Sequence, residues 1–182
     1  TFTKPVGERY TVPSLETVTL YAKWEDNTVI IRFDDCRGES TGTDGQQTMI
    51  SGTTVALKTA ASMGITNPGY TFGGWATTKG GTKAYSDGQT VTFSTDQPSS
   101  VTTLYAIWNP ITYIATYHLG EGGIRQDNPA SFTVETADIV LQAPLVKAGY
   151  VFQGWFDGAG NKVTHIQKGT VGNVTLTARY SY

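Results

Sequence analysis

Charge and sulfur are both scarce in this chain. Only 15% of its 182 residues are Asp, Glu, Lys or Arg, against about a quarter in an ordinary globular domain. Thirteen basic and fifteen acidic residues leave a net charge of −2. The basic residues form no cluster of the kind that nucleic acid or an anionic bilayer surface demands, which excludes both as partners. Cys36 is the single cysteine, so an intrachain disulfide is excluded. It has no Cys or His at metal-ligand spacing and reads as a structural thiol. No apolar run approaches the roughly 18 residues of a membrane span, so no insertion is expected within this segment. The N-terminus lacks a basic-then-apolar leader pattern, and residue 1 reads as a cut within a longer protein.

Aromatic rings and glycine are plentiful instead. The chain holds 10 Tyr, 7 Phe, 4 Trp and 21 Gly, enough ring area to stabilise small cores. These residues recur in phrases. Gly69-Tyr70-Thr71-Phe72-Gly73-Gly74-Trp75 returns as Gly149-Tyr150-Val151-Phe152-Gln153-Gly154-Trp155. Thr17-Val18-Thr19-Leu20-Tyr21-Ala22-Lys23-Trp24 returns as Val101-Thr102-Thr103-Leu104-Tyr105-Ala106-Ile107-Trp108. A weakened form closes the chain at Asn173-Val174-Thr175-Leu176-Thr177-Ala178-Arg179-Tyr180. Repetition of this kind marks an array of small units, which display, space or bind more often than they catalyse. Landmarks such as Phe33 and Tyr117 give three segments: residues 1–24 as the closing half of a truncated unit, 25–108 as a complete unit, and 109–182 as another. The joints are Glu25-Asp26-Asn27 and Asn109-Pro110, short enough to hold neighbours close.

Alternation predicts strands almost throughout. Val18, Leu20, Ala22 and Trp24 share one face of the closing phrase, as do Val174, Leu176, Ala178 and Tyr180. In the Gly-Tyr-x-Phe phrase strict alternation would put Phe and Trp on opposite faces, so Gly74 and Gly154 are expected to mark bulges that re-aim the indole. Asp157-Gly158-Ala159-Gly160-Asn161 and Lys79-Gly80-Gly81-Thr82 read as turns. One helix is expected, from about Thr54 to Met63. Pro144 shortens or removes its counterpart.

These phrases resemble the Listeria–Bacteroides repeat, the unit of the B-repeat region of internalin-type surface proteins. The first full unit matches through Phe33, Gly69, Tyr70, Phe72, Gly74, Trp75, Leu104, Tyr105, Ala106 and Trp108. The second matches through Tyr117, Gly149, Tyr150, Phe152, Gly154, Trp155, Leu176 and Ala178, and departs at Thr177 and Tyr180. The resemblance implies an α+β, mostly β fold of tandem β-grasp-like (ubiquitin-like) modules. It also implies display on a bacterial cell surface, a spacer or adhesion role, and no catalytic residues.

The residues themselves agree with a non-catalytic reading. His118 and His165 lack histidine counterparts in the other unit, and each reads as a solvated turn histidine. Asp34-Asp35 is the adjacent carboxylate pair, expected to point to opposite strand faces and to end a loop. The Asp157 turn lacks the spaced carboxylates of a calcium loop, so neither metal nor cofactor is expected. Asn173-Val174-Thr175 matches a glycosylation sequon at the start of a strand, and carries little weight in a bacterial protein.

Trp24, Trp75, Trp108 and Trp155 define the repeat and are expected in its core. Tyr21 and Tyr105 alternate away from the Leu-Ala face and are the candidate binding residues. Their partner would be a host or neighbouring-cell surface protein, met through those tyrosines or a strand edge. The alternative function is a carbohydrate-binding module of a secreted glycan-degrading enzyme, with stacking tryptophans. Residues 1–24 cannot hold an apolar face alone. They are expected to dock on the first full unit, or on a second copy as a strand-exchanged dimer.

Overall fold

The computed structural model describes residues 19, 21–37 and 44–182. The first half contains β1 (Thr28–Asp34), β2 (Gly45–Ile50), β3 (Thr54–Ala56), β4 (Tyr70–Ala76), β5 (Thr90–Thr92) and β6 (Ser99–Pro110). The second contains β7 (Tyr113–His118), β8 (Gly123–Arg125), β9 (Ser131–Phe132), β10 (Ile139–Val140) and β11 (Leu145–Val146). It continues with β12 (Val151–Phe156), β13 (Lys162–Val163), β14 (His165–Ile166) and β15 (Val174–Ser181). The fold is β-rich, and the two halves are built alike.

Each half has a mixed sheet whose first and last long strands are parallel neighbours. The orders are β2-β1-β6-β4 and β13-β12-β15-β7-β9. Thr28–Asp34 runs parallel to Ser99–Tyr105, and Ala115–His118 runs parallel to Val174–Thr177. Alternation explains the inward faces. Val29, Ile31 and Phe33 are buried while Arg32 is exposed, and Leu104, Ala106, Leu176 and Ala178 line the facing strands.

The expected glycine bulges are present. Pairing of β4 with β6 shifts register between Phe72 and Gly74, and that of β12 with β15 shifts between Phe152 and Gly154. Gly74 and Gly154 adopt φ of +123° and +146°, values that glycine alone accepts readily. Each shift turns the indole back onto the same side as the phenylalanine. Phe72 and Trp75 meet at 4.8 Å between ring centroids, and Phe152 and Trp155 at 5.6 Å. Phe33 on Trp75 and Phe72 on Trp108 extend the first cluster. Tyr117 on Trp155 and Phe152 on Tyr180 repeat it. Such tilted and edge contacts suit the ring quadrupoles.

Three expectations are corrected. The helix from Thr54 to Met63 does not form: Val55 pairs with Val91, and only Ala61–Met63 turn, as a 3-10 helix ended by Gly64. Partners across the chain override local propensity where β-branched Thr54 and Val55 already favour a strand. Asn109-Pro110 is not a joint between strands, because β6 runs through both and only residues 111–112 separate it from β7. Trp24 is not core but 90% exposed. Trp108 is covered by Phe72 and by the turn just after β1, and Trp24 has no such cover among the described residues. Residues 1–18 and 20, on which docking of the N-terminal segment turns, lie outside the described residues.

Candidate functional site

Three carboxylates come together at the turn that follows β1. Asp34 and Asp35 are 5% and 4% exposed, and β1–β2 pairing of Phe33 with Gly45 brings Asp44 beside them. One carboxylate oxygen from each of the three lies within 4.8 Å of the others. The pair therefore does not splay to opposite faces as expected. Asp34 ends the strand, Asp35 lies beyond it, and the chain turns sharply at Cys36, whose φ is +58°.

The carboxylates hold that turn. The Cys36 amide donates to Asp34 Oδ1 at 2.8 Å, and the Asp35 amide donates to Asp44 Oδ2 at 2.6 Å. Arg37 donates its amide to Asp35 Oδ1 and its guanidinium to Asp35 Oδ2. Trp108 Nε1 donates to the Asp35 carbonyl at 2.7 Å, tying the turn to the closing strand. Three hard oxygens at this spacing suit a divalent cation chemically, yet each carboxylate is engaged in the turn itself. Cys36 is half-buried, and burial, then the Asp34 charge, raises its thiol above the usual range. It lines a shallow depression of about 370 Å³ with Lys79, Ile107 and Trp108.

The second half carries no such carboxylates. Gly120, φ +62°, takes the conformation that Cys36 takes in the first half, and Leu119 stands where Asp35 stands. Tyr180 replaces Trp108, and its buried hydroxyl finds no partner among the described residues. Burial raises that phenol above its usual range. A depression of about 450 Å³ opens beside Lys162, His165, Gln167 and Thr170. His165 Nδ1 lies 2.8 Å from the neighbouring Thr164 Oγ1, and His118 ends β7 exposed. His165 thus sits in a short strand rather than in a turn.

Asp157 closes its own loop, as expected of a tight turn. Its Oδ1 accepts from the amides of Ala159 and Asn161, and those bonds, the Asn161 amide first, hold its carboxyl below the usual range. Asn173 Oδ1 accepts from the Ile114 amide, which gives that side chain a structural task. Tyr21 is 86% exposed. Tyr105 is half-buried in β6 between Asp34 and Ala76.

Sequence reading missed Asp44, ten residues away across a hairpin; the Asp44-Gly45 pair before a strand was its only signal. It also missed a lysine laid over each bulge. A Cβ on Gly74 would meet Lys83, and one on Gly154 would meet Lys162.

The paired sheets and repeated aromatic clusters define a β-rich tandem-repeat protein. The Listeria–Bacteroides repeat domain matches the chain twice, over residues 30–107 and 113–179, and the chain belongs to that family. It is similar to two longer proteins of Evansella cellulosilytica. One, named "Putative membrane protein", is 29% identical over 174 residues, covering 91% of this chain and 23% of that protein. The other, named "Putative Gly-rich membrane protein", is 27% identical over 139 residues, covering 76% of this chain and 15% of that protein. This chain therefore spans less than a quarter of either relative. No helix among the described residues is long and apolar enough to cross a membrane. No solved structure matches.

Proposed function

We propose that the chain is a non-catalytic spacer of a bacterial cell-surface protein. In this reading residues 25–108 and 109–182 are modules of β-grasp-like topology that hold another domain away from the cell under tension. One observation carries the proposal: in both halves the entering and leaving strands are parallel neighbours. Tension applied through the two ends of such a unit runs along these strands, while their hydrogen bonds lie across them. The bonds are loaded together in shear rather than opened one by one. Mixed sheets with a central parallel pair support the β-grasp-like assignment, although the crossing helix of that fold is reduced here to one short turn.

Surface display is supported by the family and by the names of the two membrane-protein relatives. A carbohydrate-stacking role finds less support, since the two bulge tryptophans are the largest fully buried side chains among the described residues. An adhesion role rests on Tyr21 and Trp24, two exposed rings that precede the first unit in sequence.

Single-molecule pulling through the termini tests the spacer reading. Forced unfolding reports the unfolding barrier, so two separate high-force events are expected. Each should release roughly 25–28 nm of chain at about 3.4 Å per residue, less the folded span. Smooth lengthening at low force, or one merged event, would count against a tension-bearing tandem.

A further inference from the structure

We propose that Gly149 and Tyr150 form an open socket for another repeat module, which would seat there a turn carrying a β-branched residue followed by a carboxylate. The inference rests on the spacer reading and names how its units lock together.

The filled version of the socket is Gly69–Tyr70. Gly69 is buried at φ +83°, and a Cβ added there would overlap Val134 Cγ1 and lie 3.2 Å from Val134 Cβ. The valine of the second half therefore occupies the space a side chain would need. Val134 is correspondingly only 8% exposed. The next residue, Glu135, accepts from the Tyr70 hydroxyl at 3.0 Å, and this bond is the main reason the Tyr70 phenol lies above its usual range. Between the halves, the Ile111 amide donates to the Gly69 carbonyl at 2.8 Å. The connection is thus pinned on both sides.

The inserted turn is preorganised. Thr133 receives the Thr136 amide on its carbonyl and the Glu135 amide on its hydroxyl, and its own amide donates to Thr136 Oγ1. Val134 is also held from behind by the Gly169 amide, which donates to its carbonyl.

Gly149 repeats the socket without an occupant. Its φ is +86°, within a few degrees of Gly69, yet no atom lies within 4 Å of an added Cβ and the residue is exposed. Tyr150 stands where Tyr70 stands, with Tyr182 laid against it: the rings are 4.7 Å apart and the Tyr150 hydroxyl donates to that of Tyr182 at 3.5 Å. The empty part of the socket is therefore at Gly149, and an occupant's carboxylate would take the place of the Tyr182 hydroxyl. Register is kept as well: Thr71 pairs with Asn109 and Val151 with Ser181. Tyr182 therefore corresponds to Pro110, one residue before the pinned Ile111.

The occupant follows from the turn chemistry. In the first half the turn equivalent to Thr133–Thr136 is Ile50–Thr53, closed by the Thr53 amide on the Ile50 carbonyl. Its tip is Ser51-Gly52, with neither a β-branched side chain nor a carboxylate. A second copy of this chain could offer only that tip, because its Val134 is already seated. A further repeat of the Val134–Glu135 kind supplies both features.

The test extends the full chain by placing a copy of residues 111–182 directly after Tyr182. Amide and ring NMR signals of Gly149 and Tyr150 should move toward those of Gly69 and Tyr70, and the added repeat should share the tumbling of the second. Replacing the added repeat's valine and glutamate with Ser and Gly, the pair the first half already uses, should reverse both effects without unfolding it. Unmoved Gly149 and Tyr150 signals with a freely tumbling third repeat would overturn the socket while leaving the spacer reading intact. Independent tumbling of the first two repeats as well would overturn both. Concentration-dependent shifts at Gly149 in the original chain would overturn the choice of occupant in favour of head-to-tail copies.

Discussion

The two bulge tryptophans occupy equivalent places but differ in one atom's surroundings. Trp75 is 0% and Trp155 2% exposed, so replacing either with Phe removes a similar buried volume. Trp155 Nε1 donates to the Gln142 carbonyl at 2.8 Å, whereas Trp75 Nε1 has no acceptor among the described residues. A buried donor without a partner costs about 1–3 kcal/mol, and a satisfied bond contributes about 0.5–1.5 kcal/mol. Trp155→Phe loses a bond, although Gln142 keeps its second donor, Asn128 Nδ2. Trp75→Phe removes an unmet donor. The shared cavity cost then cancels, and Trp155→Phe should be the more destabilising by roughly 2 kcal/mol. In units this small each kcal/mol moves the melting point by about 4–8 °C. Thermal melts followed through amide signals of each half would read the two costs separately. If Trp75→Phe proves equally or more costly, the Trp75 donor is satisfied and the reasoning fails.

Three further outcomes follow from the same geometry. Cys36→Gly should raise the melting point of the first half by an amount equivalent to about 1 kcal/mol, since Cys36 holds a left-handed φ that Gly120 holds freely in the second; an unchanged melt would contradict this. Gly69→Ala and Gly149→Ala share the strain of positive φ, but only the first drives a methyl into Val134. Gly69→Ala should therefore cost about 1–3 kcal/mol more in calorimetry. The Asp157 carboxyl is held below its usual range by the turn amides. Its stabilising effect is present above the ordinary carboxylate range and lost as pH falls through the depressed folded value. Hydrogen exchange at Ala159 and Asn161 should thus quicken on acidification relative to Asp157→Asn, whose turn should respond little.

Much of the fold was legible because the repeated phrases are the structural skeleton. Leu104-x-Ala106 and Leu176-x-Ala178 face inward as their alternation requires, and Gly74 and Gly154 bulge where Phe and Trp had to be reconciled. What escaped reading depended on partners distant in sequence. Thr54–Ala56 is a strand because of Val91, and the acidic turn exists because Asp44 returns across a hairpin. Trp24 carries the same phrase as Trp108, but a phrase buries its indole only when the strands that cover it are in place. The kinship of Cys36 with Gly120 could have been read, since no insertion separates either from its landmark, Phe33 or Tyr117. It needed the question of which backbone angle that shared position adopts.

Gly69, Tyr70, Val134 and Glu135 should couple the two repeats into one unit. Nitrogen-15 relaxation of the intact chain, fitted separately for the core amides of residues 28–108 and 113–181, tests it most directly. A single rotational diffusion tensor for both sets, split in two by Gly69→Ala, is the predicted result. Two independent tensors in the unaltered chain would contradict it.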